Sequence, residues 1–96
     1  MIIDKGVTVG EVVTIKLTSG EEVIATLVEE TDKYIKVSKP RVLAAANGGI
    51  GMAPYLFTVD NEKDIKIFKT NVVVAEGTQK EFADSYIQGT TGIKLV

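Results

Sequence analysis

Hydrophobic and polar positions alternate with a period of two through the first half of the chain. Val13, Ile15 and Leu17 fall on one side of residues 11–18, and Val12, Thr14, Lys16 and Thr18 on the other. Such alternation, rich in β-branched residues, predicts a half-buried strand. Thr18, Ser19, Gly20 and Glu21 then supply a turn, with Gly20 free to take positive φ. The pattern resumes over 22–29 with Val23, Ala25 and Leu27 on one face, which completes a hairpin. Ile24 and Val28 lie on the opposite face, so that face needs a cover from another element or another chain. A polar turn at 29–33 leads into a third strand over 34–45, with Ile35, Val37 and Leu43 on one side. Pro40 lacks a backbone donor and bends that strand or holds it at an edge.

The second half is less regular. Residues 44–51, AAANGGIG, read as a flexible loop, and 53–59, APYLFTV, as a fourth strand. A charged turn over 60–64 precedes two further β runs, 65–68 and 71–75, joined around Lys69 and Thr70. The period then changes. Thr78 followed by Glu81 forms a capping-box pattern, and Phe82, Ala83, Tyr86 and Ile87 recur at helical spacing. Gly89 suits a helix stop, which predicts a helix over 79–88. Before the first strand, Gly6 and Gly10 favour an arm or a short edge strand. The last residues, TTGIKLV, read as an extended segment against a neighbour. The chain carries no internal repeat and no linker, so residues 1–96 read as one domain.

Composition narrows the chemistry. The 45% hydrophobic and 25% charged fractions suit a globular domain. A chain of this length buries roughly 60–68% of its unfolded surface, so a shared interface would help it. Eleven basic against 13 acidic residues give a net charge of −2, without the basic excess of a dedicated nucleic-acid binder. There is no cysteine and no histidine, which removes disulfides, thiolate metal sites and the commonest general base. No apolar run is long enough for a spanning helix, and the first residues lack the pattern of a signal peptide; a cytoplasmic location is the expectation.

Three weak motifs point nowhere. The glycines at 48, 49 and 51 lack the strand–helix context of a phosphate cradle. The acids at 60, 62 and 64 lack the glycine and the distal glutamate of a calcium loop. Ser19, Ser38 (beside Lys39) and Ser85 have no activating surroundings. No catalytic residue, metal site or cofactor is assigned, and the chain reads as a non-enzyme.

Val13, Ile15, Leu17, Gly20, Val23, Leu27, Asp32, Tyr34 and Ile35 occur in the order of the first motif of the Sm and Sm-like (LSm) family. Phe68, Lys69, Thr70, Asn71, Val72 and Val73 resemble its second motif, and also the aromatic-Lys-His run of the bacterial Sm-like RNA chaperone, with Thr70 in place of His. The chain resembles a divergent phage- or bacterial-type member over residues 11–76. It departs from the pattern at Ala25, which replaces a glycine, and at Lys36, which replaces the base-reading Asn. One extra residue separates Leu27 from Asp32, and the family's leading helix has no counterpart before residue 11.

The resemblance implies a mainly β fold, a small, strongly bent, five-stranded Sm-like (SH3-like) barrel followed by a short C-terminal helix. It also implies a homo-oligomeric ring of six or seven subunits, the last strand of one barrel pairing with the fourth strand of the next. Val72, Val73 and Val74 are the expected sticky edge. Single-stranded RNA would stack on Tyr34 and touch Lys36, Lys69 and Asn71, with Asp32 orienting the loop. Binding of that kind would be weak, salt-sensitive and poorly sequence-selective. The alternative is a non-catalytic homo-oligomeric structural or interaction protein that has kept the barrel and lost the RNA site. Tyr34 would then pack on its own barrel, and the lysines would be solvated charges.

Overall fold

The computed structural model describes residues 7–46, 48–60 and 62–90. The described residues are mainly β, with six strands in one antiparallel sheet and a helix after them. The strands are β1 (Val12–Leu17), β2 (Glu22–Glu30), β3 (Tyr34–Ala46), β4 (Gly49–Pro54), β5 (Asp64–Phe68) and β6 (Val72–Gly77), and the helix is α1 (Lys80–Thr90). The sheet order is β4-β3-β2-β1-β6, with β5 also paired to β3. Among the described residues β5 and β6 do not pair with each other, so the sheet is not closed into a barrel. The expected number of five strands is exceeded because β3 holds two partners on one side. Its residues 34–38 pair with β5, and its residues 41–46 pair with β4.

The switch between partners falls at Pro40, where the bend was expected. Lys39 there has φ 49°, the one non-glycine in the left-handed region among the described residues. The register of β2 against β3 moves from Thr26↔Ser38 to Ile24↔Arg41, so β3 carries one extra residue. A bulge of this kind reverses every side chain beyond it. The consequence corrects one sequence expectation. Ile35 and Val37 face the core, but Leu43 lies on the opposite face, and Val42 sits opposite the buried Val23. Because a side chain with Cβ costs roughly 1 kcal/mol in this conformation, Lys39→Gly is expected to raise stability by about that amount, read as a rise in the urea midpoint at unchanged slope.

The core has the predicted faces of the first two strands. Val13, Ile15 and Leu17 meet Val23, Ala25 and Leu27, with Ile35, Val37, Ile67, Val72 and Ala75 closing the cluster. Gly20, at φ 105°, turns β1 into β2 and donates its N–H to the Leu17 carbonyl at 2.9 Å.

Several second-half expectations are corrected. Residues 44–51 are not a loop but the tip of a hairpin, with Ala46 opposite Gly49 and Gly48 at φ 80°. The strand expected over 53–59 stops at Pro54, whose missing donor ends the ladder. Residues 55–60 and 62–63 form a loop that leaves Leu56, Phe57 and Val59 exposed. The helix runs through Gly89 to Thr90 rather than stopping at 88. Thr78 does not cap it in the expected way: its Oγ1 lies 2.7 Å from Thr14 Oγ1, and the helix begins at Lys80. Residues 7–10 form a turn, with Gly10 N–H donating to the Leu27 carbonyl and Val7 packed on the core. The rest of the expected N-terminal arm, residues 1–6, and the extended segment at 91–96 lie outside the described residues.

α1 crosses the face of the sheet opposite the core and covers Ile24. Tyr86 anchors it. The phenol donates toward the carbonyls of Ser38 (3.0 Å) and Lys39 (2.9 Å), and Thr26 Oγ1 at 3.2 Å supplies the matching donor. Of the predicted apolar helix face, Tyr86 is buried, Phe82 and Ala83 are half-buried, and Ile87 remains exposed. No described helix is long and apolar enough to cross a membrane.

Candidate functional site

The two segments that carry the Sm-like motifs are neighbours in space. Thr31 starts the β2–β3 turn, and its hydroxyl accepts the N–H groups of Lys33 and Tyr34, each at 3.1 Å. That side chain closes the turn, while Asp32 is exposed at its tip. Residues Lys69–Asn71 form a single 3-10 turn between β5 and β6. Lys69 N–H donates to the Lys33 carbonyl at 2.9 Å, which ties the second segment to the first.

Tyr34, Lys36 and Ser38 lie on the face of β3 away from the core, and register sets them opposite Phe68, Lys66 and Asp64 of β5. The Tyr34 and Phe68 rings meet edge to face, with centroids 6.0 Å apart and planes at 78°. Lys66 Nζ stands 4.8 Å above the Tyr34 ring. A base stacking on Tyr34 would therefore displace a cation already held by the ring's negative face.

The two predicted phosphate-contacting lysines both have acidic partners. Lys36 Nζ lies 3.4 Å from Glu29, and Lys69 Nζ lies 2.7 Å from Glu30. Both acids sit at the end of β2, one strand away from Lys36. Lys69 is the more buried of the two cations and so the more firmly paired. Asn71 lines a cleft of about 340 Å³ with Leu17, Thr18, Tyr55, Lys66 and Phe68, the last two being the residues that meet the Tyr34 ring, and its carbonyl accepts the Thr18 N–H at 2.8 Å.

The predicted valine edge is divided. Val73 and Val74 are 58% and 43% exposed on β6, the outermost strand at its end of the sheet. Val72 instead turns inward to the core at 6% exposure, because the β1–β6 register shifts between Lys16 and Leu17. Residues that sequence reasoning passed over are Lys66, Phe68, Glu29, Glu30 and Thr31. The apolar-polar alternation of IKIF is the signal that could have set Lys66 and Phe68 on one face, but their pairing with Lys36 and Tyr34 needed the register.

No group of His, Cys, Asp or Glu among the described residues is arranged to hold a metal ion. The sequence matches no protein-family model and no curated protein.

Proposed function

We propose that this chain is the subunit of a cytoplasmic, non-catalytic, Sm-like homo-oligomeric ring of six or seven copies. β6 of one subunit pairs with β5 of the next, antiparallel like every other pairing in the sheet. The observation that carries this reading is the open sheet: among the described residues it ends on one side at β6 and on the other at β4 and β5, which share β3, and the outer edges of β5 and β6 are unpaired. Unpaired edges invite a further strand, and a cyclic assembly satisfies both at once. The edges are also apolar, with Val73 and Val74 on β6 and Phe68, 51% exposed, at the end of β5.

Two further observations favour the Sm-like order. β6-β1-β2-β3-β5, with a 3-10 turn between β5 and β6, is the arrangement expected of that barrel once the β3–β4 hairpin is set aside. The residue by which the Leu27–Asp32 spacing exceeds the family's is absorbed locally. Leu27 pairs with Val37 and Glu29 with Lys36, so Val28 is an extra residue in β2.

A second reading, weak single-stranded RNA binding at Tyr34, is favoured by the tie between Lys69 and the β2–β3 turn. The salt bridges of Lys36 and Lys69 and the net charge weigh toward an assembly role without RNA.

Light scattering on a sizing column, with absorbance read at 260 and 280 nm, tests both. The expected result is a mass of six or seven subunits with a protein-like ratio. The double variant Val73→Lys, Val74→Lys is expected to elute as a monomer with unchanged far-UV circular dichroism, since like charges would line the edge. A wild-type monomer would sink the ring reading. A high 260/280 ratio that falls in Tyr34→Ala would put RNA binding first.

A further inference from the structure

The molecule exposes both an apolar projection and an apolar recess, and among the described residues neither is used within the chain. The projection is the loop between β4 and β5. Phe57 is 80% exposed at its tip, with Leu56 and Val59 each 38% exposed beside it. The recess is a groove of about 560 Å³ between α1 and the β3–β4 hairpin. Ile24, Leu43, Ile50 and Phe82 line it, and Ile50 is 60% exposed. Its size suits an aromatic ring together with flanking branched side chains. The chain does not fill its own groove with this loop, because Phe57 stands in solvent while the groove is open.

We propose that residues 56–59 of one subunit seat Phe57 in this groove on the adjacent copy. The proposal rests on the ring reading above and adds a contact to it.

Three observations carry it. The first is position. The loop leads directly into Asp64, the first residue of β5, and the groove is bordered by Glu76, Gly77 and Thr78 at the end of β6. Antiparallel pairing of β5 with a neighbour's β6 sets the start of one strand beside the end of the other. The projection of one copy and the recess of the next therefore meet at the same end of the shared ladder.

The second is charge. Glu22 and Glu76 stand on the rim of the groove, and among the described residues neither has a cation within salt-bridge distance. Lys39, Arg41 and Lys63 outnumber Asp60 in the small hollow that Leu56 and Val59 also line, and the three cations have no acidic partner at salt-bridge distance among the described residues. Complementary rims of this kind orient one copy on the next and suppress the reverse docking.

The third is the asymmetry of the contact. Projection and recess are different surfaces of one chain, so the contact can repeat head to tail around a ring. Such contacts close only by rotation into a ring, which is the geometry the open strand edges require.

The chain contains no cysteine, so single-cysteine variants report contacts between copies without background disulfides. Phe57→Cys chains are mixed with Ile50→Cys chains and oxidised under dilute conditions. The control mixture pairs Phe57→Cys with Val9→Cys, whose site is exposed. The expected result is a 57–50 disulfide formed at least about tenfold faster than the control, as befits a bound pair. Phe57→Ala, which alters a solvent-exposed side chain, should fold normally and raise the half-dissociation concentration of the oligomer by about 30-fold, the scale of an aromatic anchor. An oligomer of unchanged mass and stability in Phe57→Ala, with cross-linking at the control rate, would overturn the loop-in-groove contact and leave the ring standing. A wild-type monomer would overturn both.

Discussion

Replacing Tyr86 with alanine is expected to lower the melting temperature by roughly 15–30 °C. The side chain is the largest of the fully buried set, and its loss removes the central contact between α1 and the sheet. Truncating a buried aromatic residue costs about 3–5 kcal/mol, and each kcal/mol moves the midpoint of a domain this size by about 4–8 °C. Eleven residues are too few for a helix to persist alone in water. The sheet has its own core on the other face, with no contribution from Tyr86. Amide exchange should therefore reach α1 before it reaches β1 and β2. A variant in which the amides of 80–90 stay protected would show that Tyr86 is not the anchor.

Tyr86→Phe isolates the hydroxyl. It leaves two carbonyls without their donor, at a cost of about 1–3 kcal/mol. Burial raises the phenol's pKa above the ordinary tyrosine value, and the hydrogen bond with Thr26 and the charge of Arg41 oppose that rise more weakly. The folded state therefore holds this proton more tightly than the unfolded chain. The associated stability is complete below the ordinary tyrosine range near pH 10 and is lost as pH climbs through the raised value. Denaturant midpoints measured across that alkaline window should fall more steeply in the wild type than in Tyr86→Phe.

The second large effect is expected at the centre of the core. Ile15 is fully buried and pairs with Val23 on one side and Ala75 on the other, so both neighbouring strands lean on it. Ile15→Ala removes three carbon atoms from a site with rigid β ladders on both flanks, where collapse of the cavity is limited. The expected cost is about 2–5 kcal/mol, a large share of the roughly 5–15 kcal/mol that holds a domain together. Chemical denaturation should show the loss directly. If the ring forms, the loss should shrink as protein concentration rises, because assembly adds to the stability of the folded subunit. A cost below about 0.5 kcal/mol would mean that the core is elsewhere.

Local alternation was enough to place the core faces of β1 and β2, because the β1–β2 register is unbroken and the extra residue of β2, Val28, comes only after Leu27. It failed at Leu43 for a single physical cause. Lys39 adopts a left-handed conformation that nothing in its residue type announces, and the count of faces slips by one. The APYLFTV run misled in the other direction. Leu56, Phe57 and Val59 have strand-like residue types, yet Pro54 ends the ladder before them and they remain exposed. The candidate site was legible as a set of segments but not as an electrostatic arrangement. Tyr34 was placed at the start of the third strand and Lys69 in the last turn, whereas the pairing of Lys36 with Glu29 and of Lys69 with Glu30 depends on cross-strand geometry. Asn71 was grouped with them by the resemblance, and the structure sets it in a cleft that Lys66 and Phe68 also line.

The bulge at Lys39 also matters for how insertions and deletions would be tolerated. β3 is in effect two strands spliced out of phase: its first part supplies the inner core, and its second part supplies the wall beneath the helix. Deleting one residue at the splice would bring the two parts into phase. Val42 would stay inward and Leu43 outward, since the deletion removes only the extra residue, but the carbonyls of Ser38 and Lys39 that hold Tyr86 would no longer converge. A one-residue deletion at this point thus leaves the inner core in place and costs the helix its anchor, whereas the same change in the loop after Pro54 would leave both layers intact.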